Sequence, residues 1–448
     1  MSFSVFRKLT EHFSIIAGLF LAAGVIFWME SNPPYVSTRF GYSEGDPMAD
    51  VTKLTEPALT APRALSTAEF EAAQTAWAYF EAFTNPNSGL SNSVESFPSG
   101  TLWDQGSYLS AIICAYRLGI IDKADAKARA SAVLATLKRL PLVEGQLPNK
   151  VYNTDTLEMT FYNNAASLDG LGWSALDIAR LSVPLFAVSK QFPEFAGAVN
   201  DLHVVWRTTN LVRDGELWGA ARDAANTLIP VQEGRLGYEE YGAKGLALLG
   251  LNTARAGDYR HAAQTVKVEN ILLLADLRDK ENSNASNYVT SEPYLLTAFE
   301  FGLDPDTELL ARGLYQAQAN RADRTGILTA VSEDNIDQDP YFLYYSAFAN
   351  GARWSPINPN AKAYPDLATV STKAAFGWHA LFETEYTSDL ITHIGRTRDE
   401  ARGWRSGVYE VTGEVNDVAT ANTNGMVLLA LHYRTFGPLV PAVLRGQL

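Results

Sequence analysis

The chain has 448 residues, of which 47% are hydrophobic, 11% aromatic and 19% charged, too apolar and aromatic for a disordered protein. A formal net charge of -14, from 36 Lys and Arg against 50 Asp and Glu, argues against a binder of duplex nucleic acid, which needs a basic face. One cysteine, Cys114, excludes an intrachain disulfide framework and any Cys-rich zinc or iron–sulfur site, and the six histidines show no His-x-x-x-His spacing.

In chain order, Arg7 and Lys8 precede the uncharged run FSIIAGLFLAAGVIFWM, Phe13 to Met29, and Glu30 follows it. Residues 1–30 therefore predict one N-terminal transmembrane anchor with its N-terminus in the cytoplasm and the rest of the chain exported. A cleaved signal peptide is the rival reading. It wants a shorter apolar core and a small-x-small site, where Phe27-Trp28-Met29-Glu30 stands instead. Residues 31–64, rich in Pro, Gly, Ser and charge, predict a flexible tether. The folded domain is expected over 65–437, with a tail at 438–448.

Ser66-Thr67-Ala68-Glu69 carries a capping-box signature and opens the first helix. Two classes of segment then alternate. One is amphipathic and charged on one side, at 66–83, 123–138, 193–209, 257–276, 305–323 and 373–397. The other is rich in Gly, Ala, Ser and aromatics and nearly uncharged after its first turn, at 104–118, 169–187, 238–254, 291–302, 340–351 and 417–434. Helices apolar all round are buried and amphipathic ones lie outside. The alternation predicts an all-α fold, an (α/α)6 toroid or barrel, with an irregular helical solenoid as the alternative. Residues 212–219, about Asp214-Gly215, and 407–415, about Thr412-Gly413, read as short β-hairpin excursions.

Such a toroid has its natural cleft where loops enter the inner helices. Carboxylates and aromatics in the first turns of the uncharged segments are therefore the candidate site. Asp104, with Trp103 before it and Tyr108 after it, opens the first; capping is the competing role for an Asp there. Glu239 and Glu240, preceded by Tyr238, open a helix otherwise made of Gly, Ala and Leu, and Glu240 can pair with Lys244 at i,i+4. Glu292 and Tyr294 flank Pro293, where a helix dipole by itself favours an acid. Glu333, Asp334, Asp337 and Asp339 crowd the approach to 340–351, followed by Tyr341, Tyr344 and Tyr345. That run invites a calcium reading but lacks the EF-hand glycine and glutamate, and reads otherwise as a solvated loop. Trp404, Arg405, Tyr409 and Glu410 lead into a last helix carrying Asn422 and Asn424. Tyr152, Tyr162, Asn163, Trp173 and Asp177 lie between; Asp177 reads as structural, facing Arg180 or a helix start. Rings for sugar faces beside carboxylates and amides for hydroxyls fit a neutral carbohydrate.

The runs LWDQGSYL, YNTDTLEMTFYNNAASLDGLGWSALDIARL, GRLGYEEYGAKGLALLG and SEPYLLTAFEFG together resemble a bacterial domain family of unknown function, number 3131, over roughly residues 65–437. That family is in turn remotely similar to glucoamylase-like (α/α)6 proteins, which include endo-β-1,2-glucanases. The resemblance implies an inverting glycoside hydrolase or transglycosylase acting on a β-glucan in the periplasm, and the anchor expected at 1–30 would hold it at the bacterial inner membrane.

The expectation is therefore two-carboxylate hydrolysis, with inversion if the carboxyls lie about 6.5–9.5 Å apart. Glu240 or Glu239 is expected as the acid, because desolvation raises a buried carboxyl, Asp104 as the base, and Glu292 in reserve. Sugar contacts are expected from Trp103, Tyr108, Tyr162, Trp173, Tyr238, Tyr294, Tyr341, Trp404, Tyr409, Glu410 and Asn422, with no metal and no cofactor. The rival is a non-catalytic glycan-binding or scaffold subunit of envelope polysaccharide machinery. A sugar epimerase would want histidines at the inner-helix openings, and a polysaccharide lyase a basic patch; neither pattern is present.

Overall fold

The structure is a computed structural model and describes residues 45–445. The predicted anchor at 1–30 and the first part of the predicted tether lie outside the described residues. Among the described residues no helix is long and apolar enough to cross a membrane. From residue 45 on, the predicted tether is bound to the domain: Met48 and Val51 are buried, the Thr52 amide donates to Leu272 O, and the Thr60 and Arg63 amides donate to Leu381 O and Arg434 O.

The principal helices are α1 (Thr67–Phe83), α2 (Leu102–Arg117), α3 (Lys123–Arg139), α4 (Ala175–Gln191), α5 (Ala196–Val205), α6 (Tyr238–Ala247), α7 (Glu292–Glu300), α8 (Pro305–Thr325), α9 (Thr372–Leu381), α10 (Glu385–Ile394), α11 (Ala421–Phe436) and α12 (Leu439–Leu444). The capping box forms as the sequence signature requires: the Glu69 amide donates to Ser66 Oγ at 3.3 Å and the Ser66 amide to Glu69 Oε2 at 2.7 Å. Helices α2, α4, α6, α7, α9 and α11 are buried on nearly all sides. Their contact order is cyclic: each touches the next, and α11 touches α2. Helices α1, α3, α5, α8 and α10 pack outside them. Small residues allow the close approaches this needs. A Cβ on Gly245 of α6 would lie 2.5 Å from Ala179 O of α4. Large rings fill the rest, and full burial of one such as Trp378 contributes about 1.5–3 kcal/mol.

The all-α expectation is corrected. The described residues hold six small antiparallel sheets besides the helices. Residues 340–351, predicted as the fifth inner helix, form strand Phe342–Ala349 between Glu333–Asn335 and Ala352–Ile357. Leu343 and Tyr345 are buried while Phe342 and Tyr344 are half-buried, a period of two, and Asn350-Gly351 at φ 44° and 83° make a tight hairpin turn. Residues 257–276, predicted as an outer helix, contain the hairpin Ala263–Val268 and Ile271–Asp276, turned by Glu269-Asn270 at φ 47° and 65°. The fifth buried helix is instead α9, which overlaps the start of 373–397, a segment expected to be an amphipathic outer helix. Lys373 is buried. The hairpin about Asp214-Gly215 is present as expected, and Thr412-Gly413 lies in the turn between strands Gly403–Tyr409 and Val415–Ala419. The predicted tail begins with α12, whose Leu439 and Val443 are buried.

Candidate active site

Three of the buried helices bring charged first turns together. Asp104 of α2 is 8% exposed; its Oδ2 accepts from Ser93 Oγ and Thr101 Oγ1, and its amide donates to Thr101 Oγ1. Glu292, the first residue of α7, is fully buried. Asn422 Nδ2 of α11 donates to its Oε1 at 2.8 Å, and Lys373 Nζ of α9 pairs with its Oε2. Lys373 Nζ also lies 3.7 Å from Asp334 Oδ1. Burial pushes the Asp104 carboxyl up, the two hydroxyls oppose that shift, and both Lys373 and Glu292 act on it. Asp104, Glu292, Lys373 and Asn422 thus form one group.

Glu333 and Asp334 join this group from the short strand Glu333–Asn335. Burial and the neighbouring Glu292 push Glu333 up to about 8, and burial pushes Asp334 up to about 7. Asp334 is 4% exposed, whereas Glu333 retains partial exposure. Beside Glu333 runs an aromatic wall. Tyr288 and Tyr344 stack at 4.2 Å with an interplanar angle of 4°, Tyr238 meets Tyr288 edge-on at 6.1 Å, and Trp103 meets Tyr238 at 5.9 Å. Tyr162 approaches Tyr344 closely enough to raise its hydroxyl.

A second acidic group stands at the opening of α4. Glu233 Oε2 accepts from the Ala175 amide at 2.6 Å, the Leu176 amide at 3.2 Å and Ser174 Oγ at 3.0 Å, so a loop carboxylate caps the helix together with Ser174. Its Oε1 lies 4.0 Å from Lys150 Nζ. Asp177, half-buried in the first turn of α4, is pushed up to about 8 by burial and by Glu233; Asp104 also acts on it. Arg180, the partner expected for Asp177, instead pairs with Glu300 in the interior.

The other expected residues fall elsewhere. Glu239 is buried against Arg278, with Gln232 Nε2 donating to it at 3.1 Å, and Arg278 is shared with Asp276. Glu240 is also buried; its Oε2 accepts from the Gly237 amide at 2.6 Å, closing the turn that starts α6. Burial raises both, and Glu239 raises Glu240 further. The expected Glu240–Lys244 pair does not form, because Lys244 Nζ reaches Asp304 Oδ2 at 2.7 Å. Tyr108 is core, stacked on Phe80 at 5.1 Å. Tyr294 is buried beside Glu240. Trp404 packs on Phe376 and donates its Nε1 to Ala72 O of α1. The Tyr409 hydroxyl donates to Asp337 Oδ1 at 2.6 Å. Glu410 is held by Arg321 and by the Tyr345 hydroxyl at 2.8 Å. Tyr341 sits in a turn at φ 68°, and Trp173 is buried just before the cap of α4.

The sequence reading passes over Glu233, Lys373 and Tyr288; it places Glu333, Asp334 and Tyr344 in a run read as a calcium site or a solvated loop, and reads Asp177 as structural. One signal could have found Lys373: it is the sole charge in the run TKAAFGWHALF, the same feature that singled out Glu239 and Glu240. Among the described residues no three His, Cys, Asp or Glu side chains converge to hold a metal ion. A surface pocket of about 420 Å³ lies between Thr209, Asp214 and Arg255 and contains none of these carboxylates.

A family model described as "Protein of unknown function (DUF3131)" matches residues 71–437. No curated protein matches the chain. Among solved structures, a candidate glucoamylase from Bacteroides caccae ATCC 43185 is 14% identical with a TM-score of 0.60, the match covering 84% of this chain and 95% of that one. An endo-β-1,2-glucanase from Chitinophaga pinensis, in complex with sophorotriose and glucose, is 11% identical with a TM-score of 0.59, covering 85% and 95%. The endo-β-1,2-glucanase of Talaromyces funiculosus, in complex with sophorose, is 10% identical with a TM-score of 0.55, covering 85% and 86%. At these identities the likeness is one of fold.

Proposed function

This chain belongs to the DUF3131 family of proteins of unknown function, and from that footing we propose that it is a glycoside hydrolase-like enzyme acting on a β-glucan, with β-1,2-linked glucan as the first substrate to test. We read the cyclic contact order of the six buried helices as an (α/α)6 toroid, decorated by β-hairpins, whose cleft is the face where those helices begin. In that order α4 and α9 are second and fifth, which sets their openings on facing walls.

The observation that carries the reading is Glu333. It is a half-buried carboxyl, raised to about 8, beside a wall of Tyr238, Tyr288 and Tyr344. A group in that state holds its proton at neutral pH and can protonate a glycosidic oxygen. The facing Asp177–Glu233 pair supplies the anion that activates water. Glu233 is the charged member, since two backbone amides at a helix N-terminus favour its ionised form. Asp104 lies between the two groups and links them electrostatically. Trp103 and the tyrosines offer faces to apolar sugar surfaces, and the free energy of that stacking is set by ring area and geometry.

The deciding experiment is a product assay on a panel of linear and cyclic glucans, with the released anomer followed by NMR. Turnover that Glu333→Gln abolishes supports the reading; no turnover on any glucan, or a fully active variant, defeats it. A binding-only role in envelope polysaccharide machinery is favoured by one observation: Asp104, Glu239, Glu240 and Glu292 are all engaged in internal bonds. Glucan binding without turnover would establish it. The N-terminal run Phe13–Met29 supports a membrane-tethered, periplasmic placement, tested by protease protection of the intact chain.

A further inference from the structure

The strand Glu333–Asn335 is three residues long and lies at the edge of its sheet, paired on one side only, with Phe342–Ala349. Its backbone groups alternate in direction. Ser332 O accepts from the Tyr345 amide at 3.1 Å, and the Ile336 amide donates to Tyr341 O at 3.0 Å, so the even-numbered residues bond towards that partner. The amides and carbonyls of Glu333, Asn335 and Asp337 therefore point away from it, along the outer edge. A short edge strand with one ladder opens more readily than the interior of a sheet. Its apolar support is also small: Ile336, Leu343 and Tyr409 form a cluster of their own, apart from the main core.

One side chain spans that outer edge. Asn416, in the strand Val415–Ala419 that precedes α11, is 0% exposed; its Nδ2 donates to Asn335 O at 2.8 Å and its Oδ1 accepts from the Asp337 amide at 3.0 Å. A primary amide carries the donor and acceptor of a peptide unit, so Asn416 bonds to the edge as a further strand would. The same hairpin grips Asp337 twice more, through the Tyr409 hydroxyl at 2.6 Å and the Asp417 amide at 2.9 Å. We propose that Asn416 is a positioning residue: from the hairpin 403–419 it clamps the outer edge of the strand that carries Glu333, and so holds that carboxyl beside Tyr344. The inference rests on the reading of Glu333 as proton donor. Proton transfer needs the carboxyl within hydrogen-bond reach of the glycosidic oxygen, and a displacement of about 1 Å is enough to slow it up to about 100-fold.

The test uses the intact chain in detergent, assayed on the glucan the native protein cleaves, at temperatures where melts show each variant folded. Asn416→Ala should lower kcat about 10–100-fold with KM within about twofold. Asn416→Asp carries a sharper signature. Ionised, the introduced carboxyl accepts from the Asp337 amide but cannot donate to Asn335 O; protonated, it has one O–H donor and one acceptor and can make both bonds. Its kcat relative to native at the same pH should therefore rise as pH falls from 7.5 to 5, a dependence that loss of packing would not produce. The clamp is also read without substrate: loss of both bonds in Asn416→Ala should speed hydrogen exchange over 333–341 about tenfold, with α2 and α4 unchanged. A native kcat in folded Asn416→Ala, a change in KM alone, an unchanged exchange rate, or an Asn416→Asp ratio independent of pH overturns the proposal. Should Asn416→Ala fail to fold, Asn416→Asp decides by the same pH criterion, and its failure to fold at pH 5, where both bonds can form, overturns the proposal as well. Failure of the enzymatic reading looks different: the native chain then turns over no glucan while the exchange difference persists, and the positioning role falls with it.

Discussion

Glu333 and Tyr344 stand directly opposite each other on adjacent antiparallel strands. Directly opposed residues share a sheet face, so the carboxyl and the ring point the same way, and the next ring out, Tyr288, stacks on Tyr344. The strand pair thereby holds the proposed proton donor and the proposed sugar platform side by side, with a spacing set by strand geometry.

If Glu333 is the acid, Glu333→Gln should lower kcat by about 10²–10⁴-fold while leaving the melting temperature and glucan binding near native values. Steady-state kinetics on the cleaved glucan, with thermal melts of the same preparation, check this.

The pH profile follows from the same group. Glu333 must be protonated to act, so the rate should fall as pH rises through about 8. A plateau extending well above pH 9 in kcat/KM would rule Glu333 out.

Asp177 makes a prediction about stability. Its folded carboxyl titrates at about 8, above the unfolded value of roughly 4, so the folded state holds the proton more tightly. The stabilisation this gives is complete below the unfolded value and is lost as pH rises through about 8. Asp177→Asn cannot ionise and escapes that loss. The melting temperature of the variant relative to native protein should therefore be higher at pH 8.5 than at pH 5, as read by calorimetry at both values.

Tyr344→Ala removes the stacked partner of Tyr288 without disturbing the strand ladder. Loss of one stacked ring, about 0.5–1.5 kcal/mol, predicts up to about tenfold weaker glucan affinity by calorimetric titration, with kcat for bound substrate little changed.

Deep in the domain, Arg180 and Glu300 form an ion pair with no exposed surface, and the Tyr241 hydroxyl donates to Glu300 at 2.8 Å. Glu300→Gln leaves a buried guanidinium uncompensated and should cost about 3–5 kcal/mol in denaturant unfolding, whereas Arg180→Met/Glu300→Met should cost less.

The sequence by itself determined the helical frame. Ser66 and Glu69 announced a cap, and five of six uncharged segments became buried helices, because burial on all sides leaves a local compositional mark. It also picked out Asp104, Glu292 and Asn422, since a polar residue in the first turn of an apolar helix is conspicuous wherever the chain goes. What only the tertiary structure decided is what those residues face. Glu240 and Glu292 look alike in sequence, but one closes its own helix turn and the other joins four elements. Lys373 read as a surface charge because its partners, Glu292 and Asp334, are 81 and 39 residues away. The strand Phe342–Ala349 read as a helix because an aromatic, Ala-rich run suits either state, and only pairing with Glu333–Asn335 and Ala352–Ile357 selects one. Burial and charge proximity are sums over neighbours distant in sequence, so the proton affinity of Glu333 exists only once the chain is folded.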